Sequence, residues 1–282
     1  MNQPESKNNF APKDAQTRYP GVPTAAGSRL VAGETTRLRP THKFVKPFPF
    51  SGLLTNKLLT ELPGEDFARL LPHLEPVSLS SGQDLYGHAG GIHYAYFPET
   101  AVVSHLYYME DGSMTSATVI GREGIVGLSK IFAASPPLYL TQVTIGGSAL
   151  RVETEVIKRE FARGGAMQRL LLGYTSTRLA QLSQRAVCNG RHRLDERLCT
   201  WLLMIHDRAG EEQLPLTHEE IAHHLGSRRA GVTTTCNVLR DTGAINYQRG
   251  MIHIIDRQKL EAVACECYRA IKQTVWNPLS KI

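Results

Sequence analysis

The sequence predicts an α+β chain: a small antiparallel β-barrel or jelly roll, then one long helix, then a compact unit of two short helices and a β-hairpin. Three observations carry this. Seven short β-type runs with Gly-rich turns lie between residues 77 and 152, the rhythm of an antiparallel barrel. From Ala166 to Cys188, apolar residues recur at helical spacing. From Leu216 to Ile255 the run LTHEEIAHHLGSRRAGVTTTCNVLRDTGAINYQRGMIHII reads as helix, turn, helix and hairpin.

Composition bounds the rest. A chain of 282 residues has length enough for two domains, each with a core. Hydrophobic residues at 41% and charged residues at 21% suit a globular protein, and no run reaches the ~18 apolar residues of a membrane helix. The N-terminus shows no apolar signal region, so the expected location is cytoplasmic. Charge is unevenly spread: 8 basic against 3 acidic residues in 1–50, 7 against 12 in 51–160, and 17 against 11 in 161–282. An acidic middle beside a basic C-terminal third implies that the latter faces a polyanion.

Residues 1–50, rich in Pro, Asn, Thr and basic residues without a period, read as a disordered tail. Its stretch Arg37 to Lys46 could touch DNA phosphates or a partner, but reads better as solvated leader. Residues 51–163 form the barrel unit. Leu53, Leu54, Leu58, Leu59 and Leu62 make a helical stripe, and PGEDFARLLPHL opens a second helix with Pro63 and two acids. The strands follow as Val77–Leu79, Asp84–Tyr86, His93–Phe97, Ala101–Met109, Met114–Ile120, Tyr139–Ile145 and Ala149–Val152. Glu110-Asp111-Gly112-Ser113 and Gly146-Gly147 supply turns. Thr154 is expected to cap a short helix ending at Phe161.

Residues 164–190 form the long helix. Leu172, Thr175, Leu179, Leu182 and Ala186 repeat at 3, 4, 3 and 4, a coiled-coil-like seam; the alternative is one helix packed on its own barrel. Asn189-Gly190 is expected to end it as a hinge. Residues 191–270 form the last domain, starting with an amphipathic helix from Leu194 to His206 whose core face is Leu198, Trp201, Leu202 and Ile205; residues 271–282 are a tail. Thr217 and Glu220 make a capping box, and Gly226 closes the first short helix. In the second, Val232, Cys236 and Leu239 point inward, while Arg229, Ala230, Thr233, Thr234 and Asn237 face out. Arg228 and Arg229 crowd its first turn, where the helix dipole disfavours cations unless an anion lies outside. The pattern is a helix-turn-helix, whose second helix enters the DNA major groove. Arg249-Gly250 between two alternating runs gives a wing with a basic tip. The expected DNA-binding residues are Thr217, Arg228, Arg229, Ala230, Thr233, Thr234, Asn237 and Arg249.

On the segments THEEIAHHLGSRRAGVTTTCNVLRDTGAI and RGMIHIIDRQKLEAVACECY, the sequence resembles the Crp/Fnr family of bacterial transcription regulators. The order of elements agrees over roughly Leu53 to Tyr268. The resemblance implies a cyclic-nucleotide-binding-like sensor barrel, a dimerisation helix at 164–190 and a winged helix-turn-helix. It implies double-stranded DNA, a second copy of the chain and RNA polymerase as partners, with no membrane. By the same resemblance Arg229 aligns with a guanine-reading arginine, whereas Ala230 and Thr234 replace an acidic and a basic base-reading residue. Relatives that bind cyclic nucleotides use a Gly-Glu pair and an Arg followed by Ser or Thr. Here Gly127 is followed by Leu128, and Pro136-Pro137-Leu138-Tyr139 stands where the arginine is expected. A buried phosphate without a cation is costly, so cyclic AMP is not the expected ligand.

Five cysteines, 188, 199, 236, 265 and 267, in a chain without an export signal read as reduced thiols. Iron–sulfur relatives draw most ligands from an N-terminal cluster that this chain lacks. Cys265-Glu266-Cys267 is C-x-C without a second pair at finger spacing, so no metal and no cofactor are expected; Cys199 and Cys236 read as core. His73, His88, His93 or His105 could in principle ligate haem, and His223-His224 reads as exposed. No phosphate loop, nucleophile elbow or HExxH occurs, so an enzyme is not expected. The competing readings are a sensor or adaptor using the helix-turn-helix for protein contacts, and a haem- or redox-responsive regulator.

Overall fold

The computed structural model describes residues 54–86, 93–132 and 139–274. The N-terminal tail, His88 and Pro136 to Leu138 lie outside the described residues. Helices α1 (Lys57–Thr60) and α2 (Gly64–Leu70) precede strands β1 (Glu75–Leu79), β2 (Asp84–Tyr86), β3 (Tyr94–Pro98), β4 (Val102–Tyr108) and β5 (Met114–Ile120). Helix α3 (Leu128–Phe132), β6 (Leu140–Ile145), β7 (Gly147–Glu153) and α4 (Thr154–Ala162) complete the first domain. Then come the long α5 (Gly165–Arg191), α6 (Leu194–Ala209), β8 (Gln213–Leu214), α7 (His218–Leu225) and α8 (Arg229–Asp241). Strands β9 (Ile245–Gln248) and β10 (Met251–Ile254) and helices α9 (Arg257–Val263) and α10 (Cys267–Gln273) end the described chain.

The seven expected strands form, but not as one closed ring. Among the described residues they make two antiparallel sheets, β1-β7-β3 and β2-β6-β4-β5. Residues alternate between the two faces of each strand, so each sheet turns an apolar side inward. Tight turns set the register: Asp111 Oδ1 accepts from Ser113 N at 2.9 Å in the β4–β5 hairpin, and Gly112 takes φ 81°. At Gly147 a Cβ would stand 2.6 Å from Ala101 N, so this sharp β6–β7 connection admits only glycine.

Several expectations need correction. The leucine stripe from Leu54 yields only the single turn α1, because Asn56 starts it: its Oδ1 accepts from Leu58 N and Leu59 N while its Nδ2 donates to Pro98 O and Gly124 O, each at 2.9 Å. Thr154 is not a cap; it is the first residue of α4, and its hydroxyl donates to His93 O at 3.1 Å. Helix α5 runs through Asn189-Gly190 to Arg191, and the break falls at His192–Arg193. A glycine in a helix costs about 1 kcal/mol, too little to stop a 27-residue helix anchored along one side. Helix α10 carries the fold past residue 270, with Ile271 buried.

The domains do not have separate cores. Val102, Val119 and Ile145 of the larger sheet pack with Leu198, Trp201 and Leu202 of α6 and with Ile221, Val232 and Ile252 beyond it. Helix α6 is therefore buried nearly all round rather than on one face, from Leu198 through Ile205. A largely buried pair bridges this junction: Arg208 Nε donates to Glu123 Oε1 at 2.7 Å, and Arg122 Nε donates to Arg208 O. The buried face of α5 (Met167, Leu170, Leu171, Tyr174) packs on the first domain. Its other face leaves Leu172, Leu179 and Leu182 exposed, Leu179 at 66%.

Two histidines stack on aromatic rings within these packed layers. His224, expected at the surface, is buried and stacks on Trp201 with ring centroids 4.8 Å apart, whereas His223 stays near solvent beside Glu219. His105 stacks on Tyr139 at 4.0 Å. Burial first, then Arg185 beside His224 and Arg178 beside His105, lowers both pKa values to about 3. Each therefore folds neutral, while the unfolded chain takes up a proton below about pH 6.5. The unfolded state then binds more protons, so stability falls with acidification and is restored above that pH. Between pH 7 and pH 5 each histidine is expected to remove about 2 kcal/mol. Urea unfolding of the parent and His224→Phe at both pH values reads it; an equal pH dependence in the two would contradict the assignment.

Candidate nucleic-acid interface

The helix-turn-helix is built by local chemistry. Thr217 Oγ1 accepts from Glu220 N at 3.2 Å and Glu220 Oε2 accepts from Thr217 N at 2.7 Å, the reciprocal capping box that starts α7. Gly226 ends it in the left-handed region, φ 56° and ψ 47°. Helix α8 buries Val232, Cys236 and Leu239 and leaves Arg229, Ala230, Thr234 and Asn237 exposed. Arg228 is its N-cap residue and makes no side-chain capping bond. The first-turn amides of α8 thus keep their preference for an anion.

Arg229 is exposed, and its Nε lies 3.8 Å from Glu219 of α7. Such a long surface pair is worth ~0–1 kcal/mol, so it orients the guanidinium without holding it. The three threonines differ in use. Thr233, Thr234 and Thr235 each donate a hydroxyl to the carbonyl four residues back, at 3.0–3.1 Å. Thr233 is half-buried and also pairs with Nδ1 of His218 at 3.0 Å, so its polar atoms are engaged within the motif. Thr234 is exposed beside Ala230, and a back-bonded hydroxyl leaves its methyl free to contact a partner. Thr217 is likewise committed to its cap.

The wing is a three-stranded sheet, β8-β10-β9, with Ile252 opposite both Tyr247 and Leu214. Arg249 (φ 51°) and Gly250 (φ 77°) form its two-residue turn, the type I′ geometry that matches strand twist. The first position favours Gly or Asn, and another L-residue there costs roughly 1–2 kcal/mol. Arg249 is exposed at this wing tip. His218, missed in the sequence, links the parts: buried under α8 through Thr233, it also stacks on Tyr247 of the wing at 4.0 Å. Wing and α8 are therefore held in one orientation.

The first domain carries a cleft of about 560 Å³ lined by Tyr86, His93, Tyr96, Lys130, Glu153 and Glu155, among others. Lys130 is its one cation among the described lining residues, facing two carboxylates. Leu128 packs partly buried against the core. No described helix is long and apolar enough to cross a membrane.

A two-sheet domain, a long helix with an exposed leucine stripe and a winged helix-turn-helix on a shared core make up the described chain. Residues 196–263 match the family model of the Crp-like helix-turn-helix domain, and the chain has the fold of Crp/Fnr-family transcription regulators. FixK2 from Bradyrhizobium japonicum superposes with a TM-score of 0.57 at 20% identity, over 68% of this chain and 98% of that one. The c-di-GMP-responsive global regulator CLP of Xanthomonas campestris gives 0.56 at 14% identity, over 68% and 99%. The CRP/FNR-family transcriptional regulator TTHA1359 of Thermus thermophilus gives 0.52 at 24%, over 67% and 98%. No curated protein sequence matches the chain.

Proposed function

We propose that this chain is a DNA-binding transcription regulator that acts as a cytoplasmic homodimer on a pseudo-palindromic operator. The exposed stripe Leu172, Leu179 and Leu182 carries the reading: it continues past the face of α5 that the chain itself covers. Pairing two such stripes sets two recognition helices about a two-fold axis, for half-sites about 34–36 Å apart. Arg229 offers its fork to guanine O6 and N7. Ala230 and the Thr234 methyl form an apolar spot suited to a thymine methyl. Arg228, the α8 N-terminus and Arg249 meet phosphates, Asn237 lies further along the same face, and RNA polymerase is the further partner. An adaptor that used this motif for protein contacts would show no DNA-dependent salt effect. Duplex retention that falls steeply with salt supports the reading; salt-independent retention contradicts it.

Cyclic AMP does not control this regulator in our reading. The cleft combines Lys130 with two carboxylates, and Leu128, packed against the core, offers no ribose acceptor. Ligand binding to the folded state alone raises stability by RT ln(1 + [L]/Kd). Cyclic AMP at a hundred times a micromolar Kd would add about 2.7 kcal/mol. We expect no thermal shift there, and a clear one would overturn this assignment.

A further inference from the structure

Four side chains that the DNA reading does not use converge where α5 meets the C-terminal helices. Cys188 lies in the last turn of α5, His192 is its C-cap residue, and Cys265 and Cys267 flank Glu266 at the start of α10. Their ligand atoms all lie within 4.8 Å of one another. Cys188 Sγ is 3.6 Å from Cys265 Sγ, and Cys267 Sγ is 3.5 Å from His192 Nδ1. A tetrahedral zinc with ~2.3 Å bonds to sulfur has S···S edges of about 3.8 Å, and slightly shorter edges to nitrogen. All three cysteines are buried.

We propose that Cys188, His192, Cys265 and Cys267 form a structural zinc site of the Cys3His type. The surroundings fit that use. His192 turns its other nitrogen, Nε2, to Glu266 Oε2 at 3.2 Å, the carboxylate–histidine arrangement that fixes the tautomer of a metal ligand. Gln184 Nε2 donates to Cys267 Sγ at 3.1 Å, and Thr200 Oγ1 lies 3.2 Å from Cys265 Sγ. Polar donors aimed at sulfur suit thiolates better than an apolar thiol cluster. On binding, three thiol protons pass to solvent, leaving the site at net charge −1 around Zn²⁺. All four positions being filled by protein, the site is closed and structural rather than catalytic. It would staple α5 to the C-terminal end of the helix-turn-helix domain, across the short His192–Arg193 connection.

The full chain, purified without chelator and with zinc available, is expected to hold about one zinc per chain by elemental mass spectrometry. Cys188→Ser and Cys267→Ser are expected to lose at least about nine-tenths of it, while Cys236→Ala, outside the cluster, keeps it. Because a serine variant can fail to fold, cobalt is also exchanged into the parent chain. Intense visible bands of tetrahedral cobalt and a near-ultraviolet thiolate charge-transfer band are expected. The proposal is overturned by a parent chain that takes up no zinc and gives no tetrahedral cobalt spectrum. It is equally overturned by zinc retained in both serine variants, or by a Cys188–Cys265 disulfide isolated in place of the metal.

Discussion

Replacing Leu179 with glutamate is expected to leave the chain folded but monomeric, and to lower operator affinity at least about a hundredfold. Leu179 stands exposed at the middle of the α5 stripe, with Leu172 and Leu182 on either side of it along the helix. Its loss removes nothing from the core of its own chain, so unfolding should change little. In a dimer each such leucine buries apolar surface worth about 1.5–3 kcal/mol, and a glutamate from each copy would bring two charges into a dry seam. Without the dimer the second half-site no longer binds at the high effective concentration that linkage provides. Sedimentation gives the mass and a titration gives the affinity. A variant that stays dimeric would place the dimer contact elsewhere; one that is monomeric yet binds the operator fully would remove the two-fold account.

Arg229→Ala is the second large effect. At the first position of α8 the guanidinium can donate two parallel bonds to guanine, which no other side chain reproduces. Its loss is expected to cost roughly 1–3 kcal/mol per half-site and to relax preference at one base pair in each half. Arg249→Ala, at the wing tip, is expected to weaken all duplexes alike and to lower the salt slope by about one ion per half-site. Operator and scrambled duplexes titrated at two salt concentrations separate the two. If Arg229→Ala weakened both duplexes equally with base preference intact, Arg229 would be a phosphate contact, and sequence reading would pass to Arg228.

What was legible in the sequence was local. The Thr217–Glu220 box, Gly226, the Arg249-Gly250 turn and the strand from Met114 to Ile120 all depend on residues within a few positions of each other, and each formed as read. The leucine stripe of α5 was legible for the same reason, since helical period needs no partner to be seen, and three of its leucines are exposed. What escaped depends on contacts across the chain. His224 looks like a polar residue on a short helix until Trp201 and the larger sheet close over it. The all-round burial of α6 follows from the two domains sharing one core, which an amphipathic pattern does not announce. Asn56 is a local cap signal that the sequence reading passed over, and its long-range bonds to Pro98 and Gly124 could not be read from spacing. The C-x-C looked incomplete because its other half, Cys188 and His192, spaced one helical turn apart, lies more than 70 residues upstream. A cysteine and a histidine at that spacing near a helix end were the available signal.

In the proposed dimer, two copies of this chain read DNA through α8 about a two-fold axis. Selection of bound duplexes from a random pool by the full chain, followed by sequencing, tests it most directly. An inverted repeat is expected, with half-sites about 10–10.5 base pairs apart, centre to centre. A guanine is expected in each half, with its enrichment lost in Arg229→Ala. Enrichment of a single unrepeated motif, or none above the starting pool, would contradict it.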